Sequence, residues 1–272
     1  ITNYCNSEIN YWYRRGQLLL KSEVKGNVGN AIVNGRIKSQ VVNNSFVLDA
    51  INHFYESNAI SRINRFSEMN TNKIINLNKA SETGLNIPQT IISNKKNDIV
   101  KFCQQNKDIV VKDIDCDEFT IKWKNEKEVI FSSYAFKREL NDLLSIIENH
   151  NVKDYLLFYQ QYIPKKYELR IFYLKGKFFP MAIFSQENEK TKIDFRNYDE
   201  ERPNRCVPYI LPKDIEQKLD NFMKSIDMNC GSIDMIYTPE GEYVFLEVNP
   251  VGQYQWLEKN CNYPVSKSIA EE

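Results

Sequence analysis

At 272 residues, with 42% apolar and 12% aromatic side chains, the chain can pack two or three modest domains and is not a disordered polymer. Lys plus Arg and Asp plus Glu number 36 each, so the net charge is zero and a general basic footprint for nucleic acid is excluded. No apolar run approaches the about 20 residues of a membrane span, and no signal peptide is visible, which predicts no membrane partner. The six cysteines are scattered without a CxxC pair. That pattern fits reduced thiols of a cytoplasmic protein and supports neither a disulfide framework nor a zinc site. His53 and His150 stand alone, which argues against histidine triads and His-rich metal sites. The chain opens on Ile1 and not Met, from which a missing N-terminus is expected.

In chain order, residues 9–23 hold the aromatic and basic cluster Tyr11-Trp12-Tyr13-Arg14-Arg15, residues 46–58 look helical and 60–66 polar. A helix is predicted over Glu68–Thr83, where Met69, Ile74, Leu77 and Ala80 recur near helical spacing and Gly84 can stop it. Ile87–Ile92 reads as extended, Asn97–Gln105 as helical, and Ile109–Val111 as a buried strand ending at Lys112. Phe119–Trp123 and Val129–Tyr134 suggest a hairpin about Lys124–Lys127. Ala135–Asn149 is predicted to be a helix through Phe136, Leu140, Leu143, Leu144 and Ile147. The strand-like run Tyr155–Tyr162 precedes a second hairpin, Tyr167–Leu174 with Phe178–Phe184. A helix over Pro212–Ile226 leads to a third hairpin, 232–237 with 243–249. Helices and antiparallel strands alternating in blocks predict an α+β fold, not a doubly wound sheet.

The last hairpin carries the chemistry. If residues 239–242 form its loop, Thr238 pairs with Tyr243, and counting back sets Asp234 opposite Glu247. Alternation places Glu247 and Asn249 on one face. Opposed Cβ atoms lie about 5 Å apart, so two carboxylates and an amide oxygen converge. Such anions need neutralising, and hard oxygen ligands suit Mg²⁺, which takes its remaining ligands from waters and substrate phosphates. An ordinary amphipathic hairpin with a solvated polar face is the plain alternative. The apolar neighbours Ile233, Met235, Ile236, Phe245, Leu246 and Val248 weigh against it.

Asp234 followed by Phe245-Leu246-Glu247-Val248-Asn249-Pro250 resembles the metal-binding end of ATP-grasp enzymes. The resemblance implies two α+β lobes clasping ATP, with Asp234, Glu247 and Asn249 holding two Mg²⁺ ions. It also implies an N-terminal α/β domain over 1–67, a central lobe over 68–158 and a C-terminal lobe over 159–272. Asn72-Lys73 leads toward Gly84-Leu-Asn-Ile-Pro88, similar to the family's first ATP-binding lysine and its Gly-x-x-x-Pro turn. Lys112 corresponds to the second lysine. Gln160-Gln161-Tyr162-Ile163 looks like the adenine hinge, and Glu168 falls where a ribose-contacting acid is usual. Arg170, with Arg196 and Asn197 of Asp194-Phe-Arg-Asn197, is similar to the groups that face the γ-phosphate and the acyl phosphate; guanidinium forks match such oxyanions. One departure stands out: Asp113–Glu118 is acidic and lacks Gly, where the family carries a Gly-rich phosphate loop.

Within the family, the pieces Tyr11–Arg15, Tyr167–Ile171, Ile193–Asn197 and Leu246–Gln253 with Trp256 resemble graspetide synthetases of the microviridin and grasp-with-spasm types. That resemblance implies a ribosomally made precursor peptide with a leader as partner, and a homodimer. It implies phosphorylation of Asp or Glu side chains, then attack by a Thr or Ser hydroxyl or a Lys amine to close a ring. A leader-docking surface is expected near Phe178–Phe184 and the loop after it. Two alternatives are a ligase adding a free amino acid to a protein or peptide, and a non-catalytic nucleotide- or peptide-binding module.

Overall fold

The computed structural model describes residues 9–12, 31–64, 72–106, 108–112, 118–122, 128–132, 136–139, 156–250 and 252–272. Strand β1 (Ile9–Trp12) and β2 (Ala59–Ile63) pair in parallel, joined through helix α1 (Ala31–Asn58). A parallel pair bridged by a helix is α/β, as expected of the N-terminal segment. The helix is longer than its predicted 46–58, and the stretch read as polar supplies β2. Tyr13, Arg14 and Arg15 lie outside the described residues.

Helix α2 (Lys73–Glu82) starts where the Asn72 side chain accepts from the backbone N–H groups of Ile74 and Ile75, and ends near Gly84 at φ 80°. Strand β3 (Thr90–Ser93), helix α3 (Lys96–Gln105), β4 (Asp108–Lys112), β7 (Phe136–Glu139) and β8 (Leu157–Gln161) build an antiparallel sheet of order β3-β8-β4-β7. Between β4 and β7, β5 (Glu118–Lys122) and β6 (Glu128–Ser132) form the expected hairpin. The helix predicted over Ala135–Asn149 is corrected at its start: Phe136–Glu139 is an edge strand, with Val111 opposite Phe136 and Asp108 opposite Glu139. Pairing with β4 overrides the helical spacing there, and residues 140–150 lie outside the described residues.

The larger sheet has order β11-β10-β9-β12-β13 and is antiparallel throughout, made from β9 (Tyr167–Leu174), β10 (Lys177–Ile183), β11 (Cys206–Pro208), β12 (Cys230–Tyr237) and β13 (Tyr243–Asn249). Lys175 and Gly176, with φ of 44° and 86°, make the two-residue turn between β9 and β10, where positive φ suits the twist of the hairpin. Helix α4 (Lys213–Ser225) buries Ile215, Leu219, Phe222 and Met223 at helical spacing.

One face of this sheet is apolar along its length. Leu169, Ile171, Tyr173, Ile233, Met235, Phe245 and Val248 pack there with Leu77 and Ala80 of α2 and Leu219 and Phe222 of α4. The other face changes character midway. Phe172 and Leu174 pack with Ile63, with Leu257 and Cys261 of α5 (Gln255–Cys261) and with Val265 and Ile269 of α6 (Val265–Ala270). Glu168 and Arg170, on that same face of β9, are polar. A third cluster joins Ile99 and Phe102 of α3 to Ile109 and Tyr159.

The boundary at 158/159 falls inside β8, which belongs wholly to the central sheet. Helix α2, assigned to the central lobe, packs in the core of the C-terminal sheet, and Asn86 bridges to Val244. Cys103, Cys206, Cys230 and Cys261 are free thiols. Among the described residues, no helix is long and apolar enough to cross a membrane.

Phe245 is fully buried, its ring 4.8 Å from that of Phe222 at an interplanar angle of 62°. Phe245→Ala is expected to cost about 3–5 kcal/mol in urea unfolding; a loss under about 1 kcal/mol would show that this core does not hold the sheet.

Candidate active site

The predicted opposition of Asp234 and Glu247 is present, but by another route. Tyr237, and not Thr238, faces Tyr243; Met235 faces Phe245; the register then shifts so that Asp234 faces Glu247. Leu246 is the extra residue of a β-bulge. Without it, Phe245 and Val248 could not both reach the apolar core, because residues three apart on a regular strand point to opposite faces. The bulge sets Leu246 and Glu247, consecutive in sequence, both against the cleft.

The cleft lies between the two sheets. Lys73, Lys112, Gln160, Gln161, Tyr162, Ile163, Glu168, Arg196, Asp234 and Glu247 all line it. Asn249 joins the floor through its amide, 3.4 Å from Asp234 Oδ2 and 3.5 Å from Glu247 Oε1. Arg170 donates to Asp234 Oδ2 at 2.6 Å, so Arg170, Asp234 and Glu247 form one row across β9, β12 and β13. Asn197 is the predicted residue that turns away: its amide donates to the Lys190 carbonyl in its own loop.

The charges are unevenly poised. Burial pushes Asp234 up, Arg170 only partly opposes this, and Glu247 adds to the rise. Burial also pushes Glu247 up, but Lys112, Lys73, Arg196 and Arg170 together outweigh it and hold that carboxyl below its ordinary value. Lys73 Nζ is 3.8 Å from Glu247 Oε2. Lys112 is lowered by burial, against the pull of Glu247, and donates to Gln160 Oε1 at 3.2 Å. Gln160 is thereby oriented, its amide donating to the Thr90 hydroxyl. In the hinge, the Tyr162 N–H is committed to the Asp108 carbonyl, and Lys137 sits 4.4 Å over the Tyr162 ring. Burial raises Glu168 to about 7, with Lys165 opposing.

Among the described residues, the buried side-chain atoms without a hydrogen-bond partner are Glu168 Oε2, Arg170 Nε, Ser232 Oγ and Asp234 Oδ1. All four belong to one face of β9 and β12, beneath the cleft. Orphaned buried polar atoms are costly, and their concentration here fits a surface that takes a ligand or ordered water. Asp234 Oδ1, with the oxygens of Glu247 and Asn249, is a hard donor set that fits a divalent cation such as Mg²⁺.

Sequence reasoning passed over Lys165, and it named the segments holding Phe195, Gly252 and Trp256 without giving those three a role. Lys165 is buried and bonds Glu168 and the Ile193 carbonyl; its only signal was an acid three residues on. Phe195 stacks on Trp256, centroids 6.0 Å apart at 22°. Gly252 lies so close to β12 that a Cβ there would fall 1.8 Å from Ser232 Oγ and 2.7 Å from Ser232 N. Backbone as well as side chain forbids any larger residue at position 252.

Removing Arg170 leaves Asp234 buried and unpaired. Arg170→Met is expected to lose about 3–5 kcal/mol of stability at neutral pH. Burial raises the Asp234 pKa and Arg170 opposes that rise, so without Arg170 the deficit shrinks as pH falls and the carboxyl takes up a proton, and grows as pH rises. Chemical unfolding at pH 5 and pH 8 checks it, and a deficit independent of pH overturns it.

The family model for the ATP-grasp domain of prokaryotic glutathione synthetase matches residues 72–197. A comparison with the curated proteins gives no match. Among solved structures, the macrocyclase MdnC of Microcystis aeruginosa MRC, bound with precursor peptide MdnA, is similar at 28% identity and TM-score 0.75, over 97% of this chain and 76% of that one. A RiPP-associated ATP-grasp ligase of Chryseobacterium gregarium, in complex with ADP and a leader and core peptide, has 26% identity and TM-score 0.76, over 96% and 75%. The macrocyclase MdnB of Microcystis aeruginosa MRC has 25% identity and TM-score 0.71, over 97% and 76%. In fold and sequence over nearly its whole length this chain is similar to ATP-grasp ligases, and the matched domain contributes both cleft lysines.

Proposed function

We propose that the chain is an ATP-dependent peptide ligase that activates Asp or Glu side chains of a precursor peptide as acyl phosphates and closes ester or amide rings within that peptide. The observation that carries this reading is the convergence of Asp234, Glu247 and Asn249 with Lys73, Lys112 and Arg196 at one cleft floor. The complexes of the similar enzymes with precursor peptides support the choice of substrate.

In this reading the adenine edge meets the end of the Gln160–Ile163 hinge at Ile163, because the Gln161 and Tyr162 N–H groups are committed to the Gln89 and Asp108 carbonyls, and Glu168 takes the ribose. Lys73 and Lys112 offset the charge of the polyphosphate, as compact ammonium groups do. Asp234, Glu247 and Asn249 would hold two Mg²⁺ ions, whose chemistry is to neutralise phosphate oxygens as charge moves during phosphoryl transfer. A substrate carboxylate oxygen bonds the γ-phosphorus and ADP leaves. A Thr or Ser oxygen, or a Lys nitrogen, then bonds the acyl carbon, loses its proton and expels phosphate. Arg196, which lines the cleft with its guanidinium oriented by Asp194, stabilises the oxyanions of both steps, while Arg170 neutralises Asp234 from beneath. Asn197 is left out of the mechanism because its amide serves its own loop.

Incubation with ATP, Mg²⁺ and a precursor peptide bearing Thr and Asp or Glu is expected to yield ADP and a peptide lighter by one water per ring. A gain of one residue mass would favour the amino-acid-adding ligase instead. Asp234→Asn is expected to slow ATP turnover by about 100-fold or more; unchanged turnover would remove the metal assignment.

A further inference from the structure

We propose that Lys165 is a positioning residue that ties Glu168 to the loop carrying Arg196, so that the nucleotide side and the acyl-phosphate side of the cleft are held in one frame. The proposal rests on the reading above for the roles of Glu168 and Arg196, but its geometry stands alone.

Lys165 lies two residues past Ile163, the end of the hinge, and is only 7% exposed. A buried ammonium must be paired and must place its hydrogens. Here it donates to Glu168 Oε1 and, at 2.9 Å, to the carbonyl of Ile193, 28 residues away in sequence. Glu168 is the second residue of β9, two residues before Arg170. Ile193 begins the segment Ile193-Asp194-Phe195-Arg196, which belongs to no regular strand or helix. Without sheet hydrogen bonds to hold it, this segment depends on a few side-chain anchors.

Each anchor has a distinct task. Phe195 stacks on Trp256 of α5 and fixes the outer side of the loop. Asp194 receives Arg196 through Nε at 3.0 Å and Nη2 at 2.7 Å, which orients the guanidinium within the loop. Lys165 supplies the inner tie, joining the Ile193 carbonyl of this loop to the Glu168 carboxylate of β9. A charge-assisted bond to a backbone carbonyl fixes the main chain itself, so the position of Arg196 depends on it whatever its own rotamer. Small misplacement of a group that stabilises developing charge is costly in rate. A buried Lys–Glu pair is no evident gain in stability over apolar packing, which makes a positional role the better account of its presence.

The test combines a structural and a kinetic measurement on Lys165→Met, with Lys165→Gln as the second variant, since Gln can donate to the Ile193 carbonyl without carrying charge. In hydrogen–deuterium exchange, amides of residues 191–198 are expected to exchange about 10-fold faster or more in Lys165→Met, with those of α4 unchanged and Lys165→Gln intermediate. Basal ATP hydrolysis with Mg²⁺ is then measured in a double-mutant cycle with Arg196→Met. Lys165→Met is expected to slow turnover by about 10-fold or more when Arg196 is present and by under about 2-fold when it is absent, because the positioned group is already gone. Equal losses in both backgrounds, or unchanged exchange over 191–198, overturn the proposal. If Lys165→Met does not fold, Lys165→Gln is judged by the same two criteria. If the unaltered protein neither binds ADP nor hydrolyses ATP, the functional reading fails while the exchange result still decides the tie.

Discussion

The whole arrangement depends on burying opposite charges on one half of a sheet face whose other half is apolar. On β9 the side chains facing that way run Glu168, Arg170, Phe172, Leu174. The last two anchor the sheet against α5 and α6, and the first two floor the cleft. Because the same strand does both, the polar half is held rigidly by the packing of the apolar half. The Arg170–Asp234 pair is what makes the polar half tolerable, since either group alone would be an unpaired charge in a poorly solvated place.

Rigidity on the other side of the sheet has the same purpose. The core formed by α2, α4 and the odd-numbered residues of β9 and β12 closes over Phe245 and Val248 of β13. The bulge at Leu246 is the device that lets this core close while Glu247 still faces the cleft beside Asp234. Packing α2 onto the same core brings Lys73 to within 3.8 Å of Glu247. Lys112 approaches from the opposite sheet, so the cleft's cations come from both sides and its acids from one. That asymmetry leaves Glu247 ionised and Asp234 dependent on Arg170.

Anchors from outside the two sheets complete the frame. Asn64, just past β2, accepts from the N–H groups of Asn229 and Cys230 and donates to the carbonyls of Cys230 and Pro250. The N-terminal segment is thereby sewn to both ends of the acidic hairpin, at the start of β12 and just after Asn249. Gly252 then lets the chain lie directly on Ser232. Both contacts constrain the strand end that carries the amide of the trio.

Local pattern was enough for the α+β class, for most strands and helices, and for the acid–amide trio, because alternation and hairpin counting act over a few residues. The same local logic misread Phe136–Glu139, whose pairing with β4 no helical spacing could reveal. It reached the Asp234–Glu247 opposition through a register one residue off, and only the demand of the core for both Phe245 and Val248 created the bulge that restored it. Composition and motif could not show that α2 belongs to the C-terminal core, that Asn197 faces its own loop, or that Lys165 and Trp256 hold the arginine loop in place. Those were decided by contacts between residues far apart in the chain, where burial and the pairing of charge, not sequence spacing, determine what a side chain does.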